Sequence, residues 1–482
     1  MPPLMYMKLS TMNSNRRDFL KKASLLSSVA VSLPALHQNA FAAQASFNMS
    51  GYAAPKIDKV KVAVIGLGMR GPGAVDRLSY IEGAEIVALC DKHADRVQKA
   101  QKILTNKGLK EAQSFSGEDG WQQMLKEVEL DLVYICTPWP YHAPMSITAM
   151  KSGAHAACEV PIGLTVKECW EVVRTSEETK KHCMMLENCC YDFFEMLTLN
   201  MVRQGLFGEL VHAEGAYIHD LLDLNFNKNG YDNMWRLREN IKMNGNLYPT
   251  HGIGPIAQCM NINRGDRMTH LVAMQSNDFM MADKARELAA SDSFFQEFVG
   301  KKFRGNMDTT LIKTEKGKTM MVQHDVTSPR PYSRLHVVSG TKAFAQKYPE
   351  ERIAFGHSFI KEDELKGLYD KYTPELISYI GEQAKQVGGH GGMDFMMDWR
   401  LIDCLRNGLP LDQDVYDGAS WSVIVPLSCE SVAKNSKTVT IPDFTRGAWK
   451  TNKPHDLTLS GGGNTGIRPK VKKTQENQLN VK

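Results

Sequence analysis

Val60-Lys61-Val62-Ala63-Val64-Ile65-Gly66-Leu67-Gly68-Met69-Arg70-Gly71 decides the fold. An apolar run closed by glycine reads as a strand buried on both faces, as in a parallel sheet. Gly-x-Gly-x-x-Gly at its carboxyl end, with Pro72 near the start of the next helix, reads as a dinucleotide-binding turn. Gly66 permits the tight turn, Gly68 lets backbone approach a pyrophosphate, and Gly71 lets helix pack on strand. Met69 and Arg70 complete the phosphate turn. A second apolar run, Ala84 to Cys90, ends in Asp91, where a carboxylate accepts hydrogen bonds from an adenosine ribose and favours NAD over NADP.

Outward from this unit, strands are expected at 60–65, 84–90, 113–115, 131–136, 154–158 and 183–187, with helical patterns between them. That alternation predicts an α/β, doubly wound parallel sheet over 58–188. Ligands in such sheets bind beyond the carboxyl ends of the strands. The crevice therefore gathers Asp91, the loop with Trp139, Pro140, Tyr141 and His142, then Glu159, Val160 and Asn188. With the glycine turn, these are the cofactor candidates.

From Cys189 the pattern becomes strand after strand across turn residues: 210–217, 271–275, 309–314, 319–325 and 334–338. Helices are expected at 196–203, 393–406 and 417–433. This predicts a C-terminal α+β domain over 189–450 with a large, mostly antiparallel sheet. Residues 43–57 read as a polar linker and 451–482 as a disordered tail.

The chain has 482 residues, long enough for two cores, and a net charge of +4, too near balance to imply nucleic acid binding. No stretch reads as a membrane span, and the cysteines show no metal spacing. Residues 1–42 read as a twin-arginine signal: Ser14-Asn15-Arg16-Arg17-Asp18-Phe19-Leu20-Lys21, an apolar segment, then Ala40-Phe41-Ala42. Export to the periplasm or cell surface is the expectation. Free NAD is not supplied there, so the cofactor must stay bound. The sequence does not decide between a monomer and a homo-oligomer.

Over 60–449 the chain resembles the glucose-fructose oxidoreductase, inositol dehydrogenase and rhizopine-catabolism group of NAD(P) enzymes. Most members of that group carry Glu-Lys-Pro after the fifth strand, the lysine moving a proton beside the sugar. Here the tripeptide is Glu159-Val160-Pro161, which argues against a simple sugar dehydrogenase. A narrower resemblance accounts for the change. Glu187-Asn188, Tyr217-Ile218-His219-Asp220, Trp235-Arg236, Leu247 to Gly252, Arg330-Pro331-Tyr332, Gly389 to Asp394 and Ile441 to Phe444 look like glycoside hydrolase family 109 and follow its order.

That resemblance implies an NAD-dependent glycosidase acting on a glycan with terminal α-linked N-acetylgalactosamine. The implied cycle is redox-neutral: oxidation at C3, loss of the acidified C2 proton, elimination of the C1 aglycone, addition of water, and reduction. Candidates for proton transfer are His251, Tyr217, Tyr248 and His219; Tyr217, Arg236, Tyr248 and Tyr332 would grip the sugar. No metal is expected. His251 on a glycine-flanked loop is the preferred base, against the alternative of a helix cap. Two other readings stand beside this one: an exported sugar oxidoreductase with a tightly bound cofactor, and a non-catalytic sugar-binding protein keeping NAD as a structural element.

Overall fold

The computed structural model describes residues 47–469, so the expected signal, 1–42, lies outside the described residues. The first sheet has strands β1 (Val60–Ile65), β2 (Ala84–Asp91), β3 (Gln113–Ser116), β4 (Leu132–Ile135), β5 (His155–Cys158) and β6 (Cys183–Met185). Their order is β3-β2-β1-β4-β5-β6, and all pairs are parallel. The chain reverses direction of travel across the sheet at β1 and β4, where a crevice opens beyond the strand ends. Val62, Ala63 and Val64 are fully buried, as a strand sandwiched between helices requires. The crossover helix Val166–Thr179 begins with a capping box: Thr165 Oγ1 accepts from Glu168 N (3.1 Å) and Glu168 Oε2 accepts from Thr165 N (2.9 Å).

The second sheet comprises β7 (Leu210–Ile218), β8 (Met268–Gln275), β9 (Asp308–Thr314), β10 (Thr319–Asp325), β11 (Val337–Gly340), β12 (Phe344–Gln346), β13 (Arg352–Ala354) and β14 (Val439–Thr440). Its order is β13-β12-β11-β7-β10-β9-β8-β14, antiparallel except for the central β7–β10 pair, which is parallel. Helices Thr250–Cys259 and Ile424–Ala433 pack on β7 and β8.

The backbone at β7 is brought unusually close to a helix. A Cβ on Gly215 would lie 2.2 Å from the Gly252 carbonyl oxygen, and one on Gly252 would lie 2.4 Å from Ala216 N. Glycine on both sides is thus a condition of the contact. It sets the first turn of helix Thr250–Cys259 directly on the strand that carries Tyr217.

Several expectations need correction. The helix expected over 417–433 is two helices, Val415–Ser422 and Ile424–Ala433, the first capped by Asp414, whose carboxylate accepts from Tyr416 N and Asp417 N. The strand expected from Arg334 starts at Val337, because Leu335 and His336 adopt φ of 57° and 49°. The expected linker is packed from Phe47 onward: Met49 is buried and its N–H donates to the Tyr416 hydroxyl (3.1 Å).

Of the expected tail, 451–469 is ordered, and 470–482 lies outside the described residues. Thr465 is buried, its carbonyl accepts from Trp399 Nε1 (3.0 Å), and its hydroxyl donates to the buried Asp403 (2.7 Å). Ile467 then bridges to Ile81 of the first domain, and Arg468 donates to the Ser79 and Ile81 carbonyls, both at 2.8 Å. The polar composition that reads as disorder supplies hydrogen bonds to a groove between the two domains instead.

Candidate active site

The three glycines of the opening turn have different tasks. At Gly66, φ is +88° and a Cβ would meet the Cys136 backbone at 2.7 Å; at Gly71 it would meet the Gly66 oxygen at 2.0 Å. Both are required by the protein's own backbone. A Cβ on Gly68 would find nothing nearer than the tip of Arg96 at 3.8 Å, so the chain itself has no need of glycine there. A ligand passing over the turn does. Asp91, at the end of β2, is held by Leu67 N (2.7 Å) and His93 N (2.9 Å), one on each carboxylate oxygen. An open cradle over Gly68 beside a fixed carboxylate fits a dinucleotide with a free ribose diol.

The other cofactor candidates make contacts within the protein that the sequence does not show. Arg70 does not lie free over the turn: its Nε donates to Glu159 Oε1 (2.8 Å), and a terminal nitrogen donates to Asp394 Oδ2 (3.2 Å). Asn188 donates to the other Asp394 oxygen (2.5 Å), which places it at the domain junction. Burial opposes ionisation of Asp394, but His390, Arg70 and Arg77 outweigh it and hold the carboxyl well below the usual range. Val160 is 2% exposed and turned into the core.

His142 is buried, with Nδ1 2.7 Å from the Pro161 carbonyl and Nε2 2.7 Å from that of Thr137. It braces the loops after β4 and β5 and does not face the crevice. Pro140, Tyr141 and Met69 are exposed, whereas Trp139 is buried, edge-on to Trp235 (5.0 Å) and stacked near Tyr248 (5.9 Å). It joins the first domain to the sugar-side aromatics.

The proton-transfer candidates do come together. Tyr217 lies 4.7 Å from Tyr248 and 5.3 Å from His251 by ring centroid, and its hydroxyl is 3.1 Å from His219 Nδ1. Tyr332 stands edge-on to His219 at 5.0 Å. The guanidinium of Arg236 sits among the rings of Tyr231 (4.7 Å), Tyr248 (5.0 Å), Trp139 (5.2 Å) and Trp235 (5.3 Å). Its Nε is buried without a hydrogen-bond partner.

His251 is in the first turn of helix Thr250–Cys259, not on a loop. Its Nδ1 is 2.7 Å from Glu187 Oε1, and the Glu187 side chain is completely buried. Burial opposes ionisation of Glu187, but His251 and the Cys189 N–H outweigh it and its pKa is lowered. A fixed carboxylate on Nδ1 leaves Nε2 as the reactive nitrogen and stabilises the imidazolium that forms when it takes a proton. In the sequence Glu187 stands only within the Glu187-Asn188 pair. Its one available signal was its place beyond β6, where strand ends present ligands and partners.

The phenols behave differently from the imidazole. Burial pushes Tyr217 up to about 12, with Arg236 opposing it, and pushes Tyr248 well above the ordinary value. Both are therefore neutral donors near pH 7. Burial and then Arg236 lower the pKa of His219, so it faces Tyr217 as a neutral ring.

Fold and site together define a dinucleotide-binding Rossmann protein whose second domain sets a His–carboxylate pair and a group of tyrosines beside the cofactor cradle. Residues 60–187 match the oxidoreductase family with an NAD-binding Rossmann fold, and residues 191–451 match the C-terminal domain of glycosyl hydrolase 109. The chain is 49% identical over 406 residues to an α-N-acetylgalactosaminidase of Bacteroides fragilis, covering 83% of this chain and 95% of that one. It is 48% identical over 417 residues to a glycosyl hydrolase family 109 protein of Porphyromonas gingivalis, covering 82% and 86%.

Among solved structures, it resembles an NAD-binding oxidoreductase from Klebsiella pneumoniae (TM-score 0.62, 15% identity, covering 80% and 100%). It also resembles levoglucosan dehydrogenase in complex with NADH (TM-score 0.61, 18% identity, covering 80% and 100%), a likeness of fold. The chain belongs to glycosyl hydrolase family 109. It is a glycosidase with an NAD-binding oxidoreductase domain.

Proposed function

We propose that the protein hydrolyses terminal α-linked N-acetylgalactosamine in a cycle with no net redox change, on an NAD that stays bound. The observation that carries this reading is the Glu187–His251 pair, 2.7 Å apart, set beside the neutral phenols of Tyr217 and Tyr248. Two carboxyl groups flanking the scissile bond would mark an ordinary glycosidase. The relative from Bacteroides fragilis bearing the activity's name supports the sugar.

NAD bound over Gly68 would supply a hydride acceptor and donor at C3, chemistry that no side chain here offers. The chain's own groups then handle protons. His251 Nε2 removes the C2 proton, made acidic by a C3 carbonyl, exchanges it with solvent, and delivers a proton to C2 after water has added at C1. Tyr217, hydrogen-bonded to His219, protonates the leaving C1 oxygen. Arg236 and Tyr248 hold ring hydroxyls, and Tyr332 takes the acetamido group. Trp139 and Trp235 exclude water from this side of the crevice.

Export by the twin-arginine route is part of the proposal; Arg16-Arg17, the apolar segment after them and Ala40-Phe41-Ala42 support it.

The test is to incubate purified protein with an aryl α-N-acetylgalactosaminide, without added NAD, while following aryl release and NADH absorbance. Release with no net NADH is the expected result. Net sugar oxidation without aryl release would replace the proposal with the sugar oxidoreductase reading. Deuterium at C2 should wash into solvent during turnover, and its full retention in the product would reject the elimination.

A further inference from the structure

The substrate domain touches the Rossmann crevice at both of its ends, each time with a carboxylate on a cation. At the adenosine end, Asp232 Oδ1 accepts from Arg96 (2.9 Å) and lies 3.1 Å from His93 Nε2. Arg96 is also 3.7 Å from Asp91, the expected ribose ligand, and its tip borders the open space over Gly68. At the other end, Asp394 holds Arg70, whose guanidinium also binds Glu159 beyond β5. Asp394 is anchored in turn by Asn188 and lies 3.5 Å from Arg77. A dinucleotide in a Rossmann fold runs from the end of β2, over the glycine turn, toward the ends of β4 and β5. Each ionic contact therefore stands across one end of that path, and each joins a Rossmann residue to the second domain.

We propose that these two contacts, Asp232 on Arg96 and Asp394 on Arg70, are clasps that close the cofactor crevice and keep NAD from exchanging between turnovers. The inference rests on the reading of a retained cofactor. The glycine turn alone contacts one side of the ligand; the clasps hold the other wall in place. Asp232 is three residues from Trp235 and four from Arg236, so opening the adenosine end also displaces the ring box at the sugar site. Asp232, Asp394, Arg70 and Arg96 act as positioning residues. None needs to touch a reacting atom.

The experiment uses the full chain loaded with radiolabelled NAD, stripped of free cofactor, and chased with excess unlabelled NAD. Label retained on the protein is followed by rapid filtration. Asp232→Asn and Arg70→Gln are the first variants, since these side chains are part-exposed (29% and 33%) and tolerate substitution. Each should speed release about tenfold or more, the scale of a hydrogen bond to a charged group. Asp394→Asn should match Arg70→Gln, and Arg70→Gln should add nothing on an Asp394→Asn background. Lys61→Gln, which breaks an exposed pair with Glu129, should release at the wild-type rate.

If the wild type retains label and Asp232→Asn and Asp394→Asn retain it equally, the clasps are refuted while retention stands. If wild-type label exchanges within the time of filtration, both fail. The assay needs no glycoside, so its outcome is independent of the sugar assigned above.

Discussion

Glu187→Gln isolates the electrostatic part of the proposed base. The substitution keeps shape and leaves an amide oxygen that can still accept from His251 Nδ1, but it removes the negative charge 2.7 Å from that nitrogen. With charge centres about 4 Å apart and an effective dielectric of about 20, the carboxylate stabilises an imidazolium by about 4 kcal/mol. That corresponds to roughly a thousandfold in the proton-transfer step, near the middle of the range for general base catalysis. Relief of burying an ion offsets part of this, since Glu187 Oε2 has no hydrogen-bond partner.

A fall in kcat of about 100- to 1000-fold is expected, with KM changed by less than about threefold, because Glu187 does not face the sugar. The assay is aryl release from the α-N-acetylgalactosaminide at neutral pH. Thermal unfolding run beside it should show a Tm close to wild type. A variant that keeps more than about a fifth of wild-type kcat would refute the role given to the pair. His251→Ala is a poorer probe: it leaves a buried carboxylate uncompensated, which costs several kcal/mol of stability.

Other outcomes follow from the same geometry. Tyr217→Phe should lower kcat about 10- to 100-fold while leaving the fold intact, measured with a poor aryl leaving group that needs protonation. Gly66→Ala should destabilise by about 2 kcal/mol or more, because its Cβ would meet backbone at 2.7 Å; Gly68→Ala should fold normally but weaken NAD binding about tenfold, read by titration of the apoprotein. Burial lowers His182 from 6.5 to about 4, so the unfolded chain binds a proton before the folded one does. Stability should therefore fall by about 3 kcal/mol as pH drops from about 6.5 to about 4, and His182→Gln should flatten that slope in urea titrations. Truncation after residue 457 removes Gly463 N and the Thr465 hydroxyl from the buried Asp403 and should cost several kcal/mol, read by urea unfolding.

The Rossmann half was legible almost element for element, because its strands other than the polar edge strand β3 are apolar runs and its turn is built on glycines at fixed spacing. The second domain was legible as a class. Its parallel β7–β10 pair was hidden, since strands distant in sequence can join in either sense and hydrophobic alternation is the same for both. The start of the helix that carries His251 was hidden by Gly252, which reads as part of a loop; its close contact with Gly215 seats that first turn on β7.

At the site, residue types that perform acid–base chemistry were found, but their partners were not. Glu187 and Asp394 are distant in sequence from His251 and Arg70, and spacing cannot show such pairs. His142 was misplaced for a related reason. A histidine after β4 looks like a ligand until the Pro161 and Thr137 carbonyls are seen to occupy both ring nitrogens.

The order in which these parts leave the ribosome bears on the segment 465–469. Ile81 and the carbonyls of Ser79 and Ile81 belong to the first domain synthesised, yet their partners, Ile467 and Arg468, are made nearly four hundred residues later. Domains generally fold as they emerge, amino end first. Here the edge of the first domain at Ser79 to Ile81, on the amino side of β2 and away from the crevice, gains these partners only after the second domain has been made.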